Sequence, residues 1–95
     1  MDDHQIPIDG VLDLHTFRPN EIGDLIPEYI RACQERGIHE IRIIHGKGTG
    51  ALREGVHRLL EKHPQVATFQ HPCHARLGGW GATMARLNPG QDSDE

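Results

Sequence analysis

The sequence predicts one α/β domain: a two-layer sandwich in which a four-stranded mixed sheet carries two helices on one face, in the order βαβαββ. Four short segments are rich in β-branched or alternating apolar residues, and two segments between them repeat apolar residues at helical spacing. The 95 residues suffice for one domain. Right-handed crossovers between parallel strands would place both helices on the same face of the sheet.

The predicted strands are 11–15, 40–45, 66–71 and 82–87, each bounded by glycine, proline or a loop. Helices link the first three strands, which are therefore predicted to be parallel. The fourth strand is reached without a helix and can return antiparallel.

The first helix is indicated by apolar residues at positions i, i+3, i+4 and i+7, namely Ile26, Tyr29, Ile30 and Cys33. Proline is tolerated in the first turn of a helix, so Pro27 predicts an N-cap at Asp24 and a separate turn at 19–23. Gly37 is the predicted C-cap. The second helix, which ends before Pro64, carries one apolar face: Leu52, Val56, Leu59 and Leu60.

The formal net charge is −4, but residues 10–90 hold all ten basic groups and eight of the fourteen acidic ones, which leaves +2 there. This distribution weakly favours a polyanionic partner. We predict a flexible acidic arm at 1–9, a folded domain at 10–88 and a disordered acidic tail at 89–95.

No apolar run is long enough to span a bilayer, and the N-terminus lacks the pattern of a signal peptide. We therefore expect a cytoplasmic protein with no membrane partner, which we take to be a monomer. Cys33 and Cys73 are expected to be reduced thiols.

Three unusual segments are predicted to meet at the carboxyl edge of the sheet, where α/β folds bind ligands. The first segment begins at His15, the second spans 45–50, and the third contains the glycines at 78–81. The middle segment combines a glycine-rich nest of N–H groups with a helix N-terminus, a site typical of bound phosphate. The predicted phosphate-binding residues are Gly46, Lys47, Gly48, Thr49, Gly50 and Arg53. The alternative is that this loop is only a tight connection.

His15 and His45 end two strands that are predicted to be neighbours, and such a pair can act as general acid and base. Asp13, two residues before His15, leaves the strand on the same side and can orient that imidazole. Alternatively, each histidine is only a hydrogen-bonded residue at a strand end. The other histidines assigned to the surface are His4, His39, His57 and His63.

The loop before the last strand supplies further candidates. Trp80 either stacks on an unpaired base or covers the core, and His74 can approach a phosphate. A zinc site at His71, Cys73 and His74 is disfavoured because a second ligand pair is lacking. The predicted nucleic-acid contacts are Arg18, Arg76, Gly79, Trp80 and Gly81.

In their order and spacing, these segments resemble the Smr (small MutS-related) domain family over about residues 10–88. The matching residues are Leu12-Asp13-Leu14-His15, His45-Gly46-Lys47-Gly48-Thr49-Gly50 and Gly79-Trp80-Gly81-Ala82-Thr83. Many members have glycine where this chain has Thr16. The resemblance implies a fold like the C-terminal domain of translation initiation factor three, with the fourth strand antiparallel between the second and third. It also implies a stand-alone Smr protein that binds nucleic acid and, as in several members, cleaves it.

Three functions are therefore compared. The first is an endonuclease that nicks DNA or cleaves RNA through Asp13, His15 and His45; without a metal, RNA is the easier substrate, since its 2′-hydroxyl can attack. The second is a non-catalytic module that binds DNA, structured RNA or the ribosome, and the third is a small-anion binder. Mg²⁺ and Mn²⁺ are the candidate cofactors, and no metal is expected to be structurally required.

Overall fold

A computed structural model describes residues 7–46, 50–71 and 79–88. This part of the chain contains six regular elements: β1 (Val11–Asp13), α1 (Ile22–Glu35), β2 (Glu40–Ile44), α2 (Ala51–Lys62), β3 (Val66–Gln70) and β4 (Ala82–Leu87). Short 3₁₀ turns at Pro19–Glu21 and Gly79–Gly81 precede α1 and β4. The predicted order βαβαββ is confirmed. β1, β2 and β3 end one or two residues earlier than predicted, so His15, His45 and His71 lie just beyond their strands.

The strand order across the sheet is β1-β2-β4-β3. β1 is parallel to β2, and β4 is antiparallel to both β2 and β3. The first three strands therefore run in the same direction, and their carboxyl ends share one edge of the sheet with the start of β4. This topology confirms the mixed sheet and the position of the fourth strand between the second and third.

Both helices cover one face of the sheet, and the core lies between the two layers. Ile41 and Ile43 on β2 and Ile30 on α1 are completely buried. A side chain of this size stabilises the fold by about 1.5–3 kcal/mol when it is buried. The alternation of buried and exposed residues along β2 follows from the strand period of two, because only one face of the sheet meets the helices.

The start of α1 differs from the prediction. The helix begins at Ile22 with Glu21 as its N-cap, so the predicted N-cap at Asp24 is wrong and Pro27 lies inside the helix. Burial of the Ile22 side chain favours the additional turn. Pro27 cannot donate a hydrogen bond to the carbonyl of Gly23, but Gly23 is exposed and its carbonyl can be hydrated.

The helix α1 ends at Glu35 with Arg36 as its C-cap, one residue before the predicted C-cap at Gly37. Gly37 has a left-handed φ of 76° and donates its N–H to the carbonyl of Gln34 at 3.1 Å. Ile38 donates to the carbonyl of Cys33 at 2.9 Å, which completes the termination of the helix. Within the described ranges, no helix has the length and apolar character needed to cross a membrane.

Candidate functional site

Asp13 and His15 form an exposed pair at the carboxyl end of β1. Oδ1 of Asp13 accepts hydrogen bonds from the His15 backbone N–H at 3.0 Å and from His15 Nδ1 at 2.9 Å. The backbone hydrogen bond is the main reason that the pKa of Asp13 lies below its ordinary value. Because the carboxylate accepts the Nδ1 hydrogen, the neutral imidazole of His15 presents a bare Nε2 as a proton acceptor. This is the orientation predicted for the pair.

A pocket of about 190 Å³ lies at the same edge of the sheet, between the 3₁₀ turn at Pro19–Glu21 and the start of α2. We call it the edge pocket. Its lining residues are Pro19, His45, Gly46, Gly50, Ala51, Leu52 and Arg53. The volume is below the roughly 300–1,000 Å³ of pockets that enclose a drug-sized ligand. It therefore suits one group of a larger molecule better than a whole small ligand.

The positive potential of the edge pocket has two sources. Gly50 is the N-cap of α2, so the positive end of the helix dipole points into the pocket. The Arg53 guanidinium lies over this end: a Cβ atom on Gly50 would be 3.0 Å from Nη2 of Arg53. Gly50 also has a φ of 92°, a conformation that favours glycine. In the described ranges no acidic side chain forms an ion pair with Arg53.

The turn before β4 contacts the wall of the edge pocket. The carbonyl of Gly81 accepts hydrogen bonds from the N–H groups of His45 at 2.9 Å and Gly46 at 2.8 Å. The turn at Gly79–Gly81 therefore lies beside the end of β2, as the topology predicts. The Gly46 amide is already bonded, however, so it is not available to an anion as the sequence analysis supposed.

His45 and His15 differ in surroundings. His45 continues the buried side of β2 and is 5% exposed, whereas Asp13 and His15 lie on the side of β1 that faces away from the helices. Burial lowers the pKa of His45 below its ordinary value. Both of its ring nitrogens have partners: Nδ1 lies 3.1 Å from the Gly46 carbonyl and Nε2 lies 2.9 Å from Thr83 Oγ1. The structure therefore does not place the two histidines as a facing pair.

His57 and His63 were assigned to the surface, and both assignments are wrong because both side chains are half-buried. His57 lies on α2, and its Nε2 lies 2.9 Å from the same Thr83 hydroxyl. His71 lies beside it, with ring centroids 4.9 Å apart. His57 directly follows Val56 on α2, and His71 directly follows β3, the strand that pairs with β4. These two positions, combined with the strand order, could have shown that His57 and His71 lie beside His45.

Some predicted site residues belong to parts of the chain that the structure does not describe. Lys47, Gly48, Thr49 and Arg76 lie outside the described residues, as do Cys73 and His74. Trp80 is described only as part of the 3₁₀ turn at Gly79–Gly81. Arg18 is exposed and directly precedes Pro19, which places it beside the edge pocket.

The three motif segments thus converge on one edge of the sheet, and residues 12–88 match the family model of the Smr domain. The chain belongs to the Smr domain family. The match begins within β1, at Leu12, and includes β4 and every residue that lines the edge pocket.

Curated relatives of this Smr domain include two bacterial proteins named Endonuclease MutS2. The protein from Solidesulfovibrio magneticus is 43% identical over 77 residues, which cover 81% of this chain and 10% of the relative. The protein from Staphylococcus carnosus is 38% identical over 76 residues, covering 80% of this chain and 10% of the relative. The chain therefore spans about a tenth of the length of these relatives.

Two solved structures have the same fold as this Smr domain. The Smr domain of Thermus thermophilus MutS2 superposes with a TM-score of 0.79 at 28% identity, covering 85% of this chain and 100% of that structure. YdaL, a stand-alone small MutS-related protein from Escherichia coli, superposes with a TM-score of 0.78 at 24% identity, covering 90% of this chain and 69% of that structure. The fold is therefore shared by an Smr domain of a larger protein and by a stand-alone one.

Proposed function

We propose that this Smr domain is an endonuclease that binds the phosphate backbone of DNA or structured RNA across the carboxyl edge of its sheet. The observation that carries the proposal is the juxtaposition of a small cationic pocket with an exposed, carboxylate-oriented histidine. The pocket suits one phosphate group, and a chain that crosses the edge can contact both features. The relatives named Endonuclease MutS2 support the same function, although this chain matches only a tenth of their length.

Phosphate binding is assigned to the edge pocket. The positive end of α2 and the Arg53 guanidinium can stabilise charge on the phosphate oxygens. We assign the same role to Lys47, Gly48 and Thr49, and a flanking electrostatic role to Arg18. Arg76, Gly79, Trp80 and Gly81 are assigned to contacts with neighbouring nucleotides.

Proton transfer is assigned first to His15. Its Nε2 can accept a proton from an attacking hydroxyl while Asp13 holds Nδ1. With RNA, the attacking group is the 2′-hydroxyl: its oxygen bonds to phosphorus, the bond from phosphorus to the 5′-oxygen breaks, and the 5′-oxygen takes a proton from water while the proton on His15 returns to solvent. With DNA, an activated water is needed, and Mg²⁺ or Mn²⁺ are the candidate ions for activating it. The role predicted for His45 as the second acid–base group stays a prediction. Both of its ring nitrogens are hydrogen-bonded, so one of these bonds must break before His45 can transfer a proton.

The second candidate is a module that binds nucleic acid or a ribosomal surface without cleaving it. The separation of His15 and His45 favours this candidate, because concerted acid–base catalysis needs both groups within reach of one phosphate. Binding needs only the edge pocket and its neighbours.

Incubation with labelled single-stranded, duplex and branched DNA and RNA separates the two candidates. Each substrate is tested with Mg²⁺, with Mn²⁺ and with chelator. The endonuclease proposal predicts that His15→Ala abolishes cleavage and retains most of the binding, whereas His39→Ala, another exposed histidine, behaves like the wild type. Salt-dependent binding without cleavage under every condition would support the binding module instead.

A further inference from the structure

A cluster of three histidines lies between α2 and the sheet, beneath the edge pocket. His45 follows β2, His57 is on α2 and His71 follows β3, so each comes from a different element. Each offers one ring nitrogen, and these three nitrogens all lie within 4.8 Å of one another. We call them the histidine cluster. Of the described histidine, cysteine and acidic side chains, only these three form a group of this kind.

Hydrogen bonds in the cluster determine which nitrogen of His45 points inward. The Gly46 carbonyl can only accept, so Nδ1 of His45 carries the hydrogen, and Nε2 is left with its lone pair. The Thr83 hydroxyl then donates to that Nε2 and accepts a hydrogen bond from Nε2 of His57. A histidine whose outer N–H is held by a backbone carbonyl has the tautomer and the orientation of a metal ligand.

The charge of the cluster is also suitable for a metal. Burial lowers the pKa values of His45 and His57, and the positive charge of Arg53 lowers them further. Both imidazoles are therefore neutral at pH 7, which is the form that binds metals. Arg53 also repels a cation, while the negative charge of Glu61 acts on His57 in the opposite direction.

We propose that His45, His57 and His71 form a binding site for a divalent transition-metal ion of the zinc class. Imidazole nitrogen suits Zn²⁺, Co²⁺ and Ni²⁺, whereas Mg²⁺ prefers oxygen ligands. Tetrahedral Zn²⁺ with bonds of about 2.0–2.1 Å brings its nitrogen ligands to roughly 3.3 Å from one another. The three nitrogens already lie within 4.8 Å of one another, and side-chain rotations of His57 and His71 would bring them to this value.

Three protein ligands leave a fourth position for water or an anion, as in open zinc sites. A bound ion would join α2 to the ends of β2 and β3, and it would stabilise the folded state because the unfolded chain lacks the assembled site. It would also displace the Thr83 hydroxyl from Nε2 of His45, a residue that lines the edge pocket. The proposal does not rest on the nuclease function, and its test does not use cleavage as a readout.

The experiment uses tag-free, chelator-treated protein in the presence of reductant. Co²⁺ is titrated while the visible absorption of tetrahedral Co²⁺ is recorded, and the melting temperature is measured with Zn²⁺ or Mg²⁺. We expect one ion per chain, and at 100-fold excess over the dissociation constant a rise in melting temperature of about 10 °C or more with Zn²⁺. Mg²⁺ should have no effect.

Variants at the two ligands outside the edge pocket test the assignment. His57→Gln and His71→Gln should each weaken Co²⁺ binding at least tenfold, whereas His63→Gln, a half-buried histidine at the end of α2, should bind like the wild type. Circular dichroism of each apo variant checks that it is folded. If His57→Gln is not folded, His57→Ala is used in its place. No tetrahedral Co²⁺ spectrum in the wild type, or unchanged affinity in folded variants at positions 57 and 71, would overturn the proposal.

Discussion

Replacement of Thr83 by valine tests the hydrogen-bond chain at the edge of the sheet. Thr83 is completely buried, and its hydroxyl lies 2.9 Å from Nε2 of both His45 and His57. Valine has nearly the same shape, so Thr83→Val removes both hydrogen bonds without opening a large cavity. The change therefore isolates the contribution of one hydroxyl group.

The two histidines respond differently to the loss. His45 is only 5% exposed, so its Nε2 loses its partner in a place with little access to water, at a cost of about 1–3 kcal/mol. His57 is half-buried and can turn towards solvent, so it loses only a net hydrogen bond of about 0.5–1.5 kcal/mol. The free energy of unfolding should fall by roughly 1.5–4.5 kcal/mol, which lowers the melting temperature of a domain of this size by about 8–22 °C.

Urea and thermal denaturation of the chelated protein at pH 7.5 measure the effect. Thr68→Val is the matched control, because Thr68 is an exposed threonine on β3 and its replacement should change stability by less than about 0.5 kcal/mol. Equal stability of the two variants would refute the hydrogen-bond chain deduced for Thr83.

Three further predictions concern the core and the titrating groups. Tyr29→Phe should lose about 1–3 kcal/mol of unfolding free energy, because the Tyr29 hydroxyl accepts a hydrogen bond from the buried Gly10 N–H at 3.0 Å; urea denaturation measures the loss. Burial lowers the pKa values of His45 and His57 below 6.5, so the unfolded chain binds protons at a higher pH than the folded chain does. The stability of the apo protein should therefore fall as the pH drops below about 6.5. Midpoints of urea denaturation that stay constant or rise between pH 7.5 and pH 5.5 would contradict this. Burial raises the pKa of the Cys33 thiol, so alkylation at pH 7.5 should modify Cys33 only after denaturant is added, as peptide mass spectrometry can show.

Much of the fold could be predicted because its signals are local. The periodicity of the apolar residues identified the two α-helices and the four strands that the structure describes. The crossovers between parallel strands then placed His15, His45 and the turn at Gly79–Gly81 at one edge of the sheet. The position of β4 came from the family resemblance, since the residues alone do not determine the strand order. The start of α1 was missed because the burial of Ile22, a tertiary effect, outweighs the local preference of Pro27 for a first turn.

The candidate site was predicted less completely. The sequence gives the types of residue at each strand end but not the face of the sheet that each one occupies. Asp13 and His15 lie on the exposed side of the sheet at the end of β1, whereas the alternation along β2 places His45 on the buried side. His57 and His71 were not linked to His45 because their contact depends on Thr83, which β4 inserts between β2 and β3.

The central claim is that the edge pocket binds the phosphate backbone, and Arg53 tests it most directly. Binding of labelled oligonucleotides is measured as a function of salt concentration for the wild type, Arg53→Gln and the control Arg58→Gln, an exposed arginine on the same helix. We predict that Arg53→Gln weakens binding and reduces the slope of log K against log salt by about 0.7–0.9, the value for one lost phosphate contact, while Arg58→Gln leaves both unchanged. Equal affinities and equal slopes for all three proteins would contradict the claim.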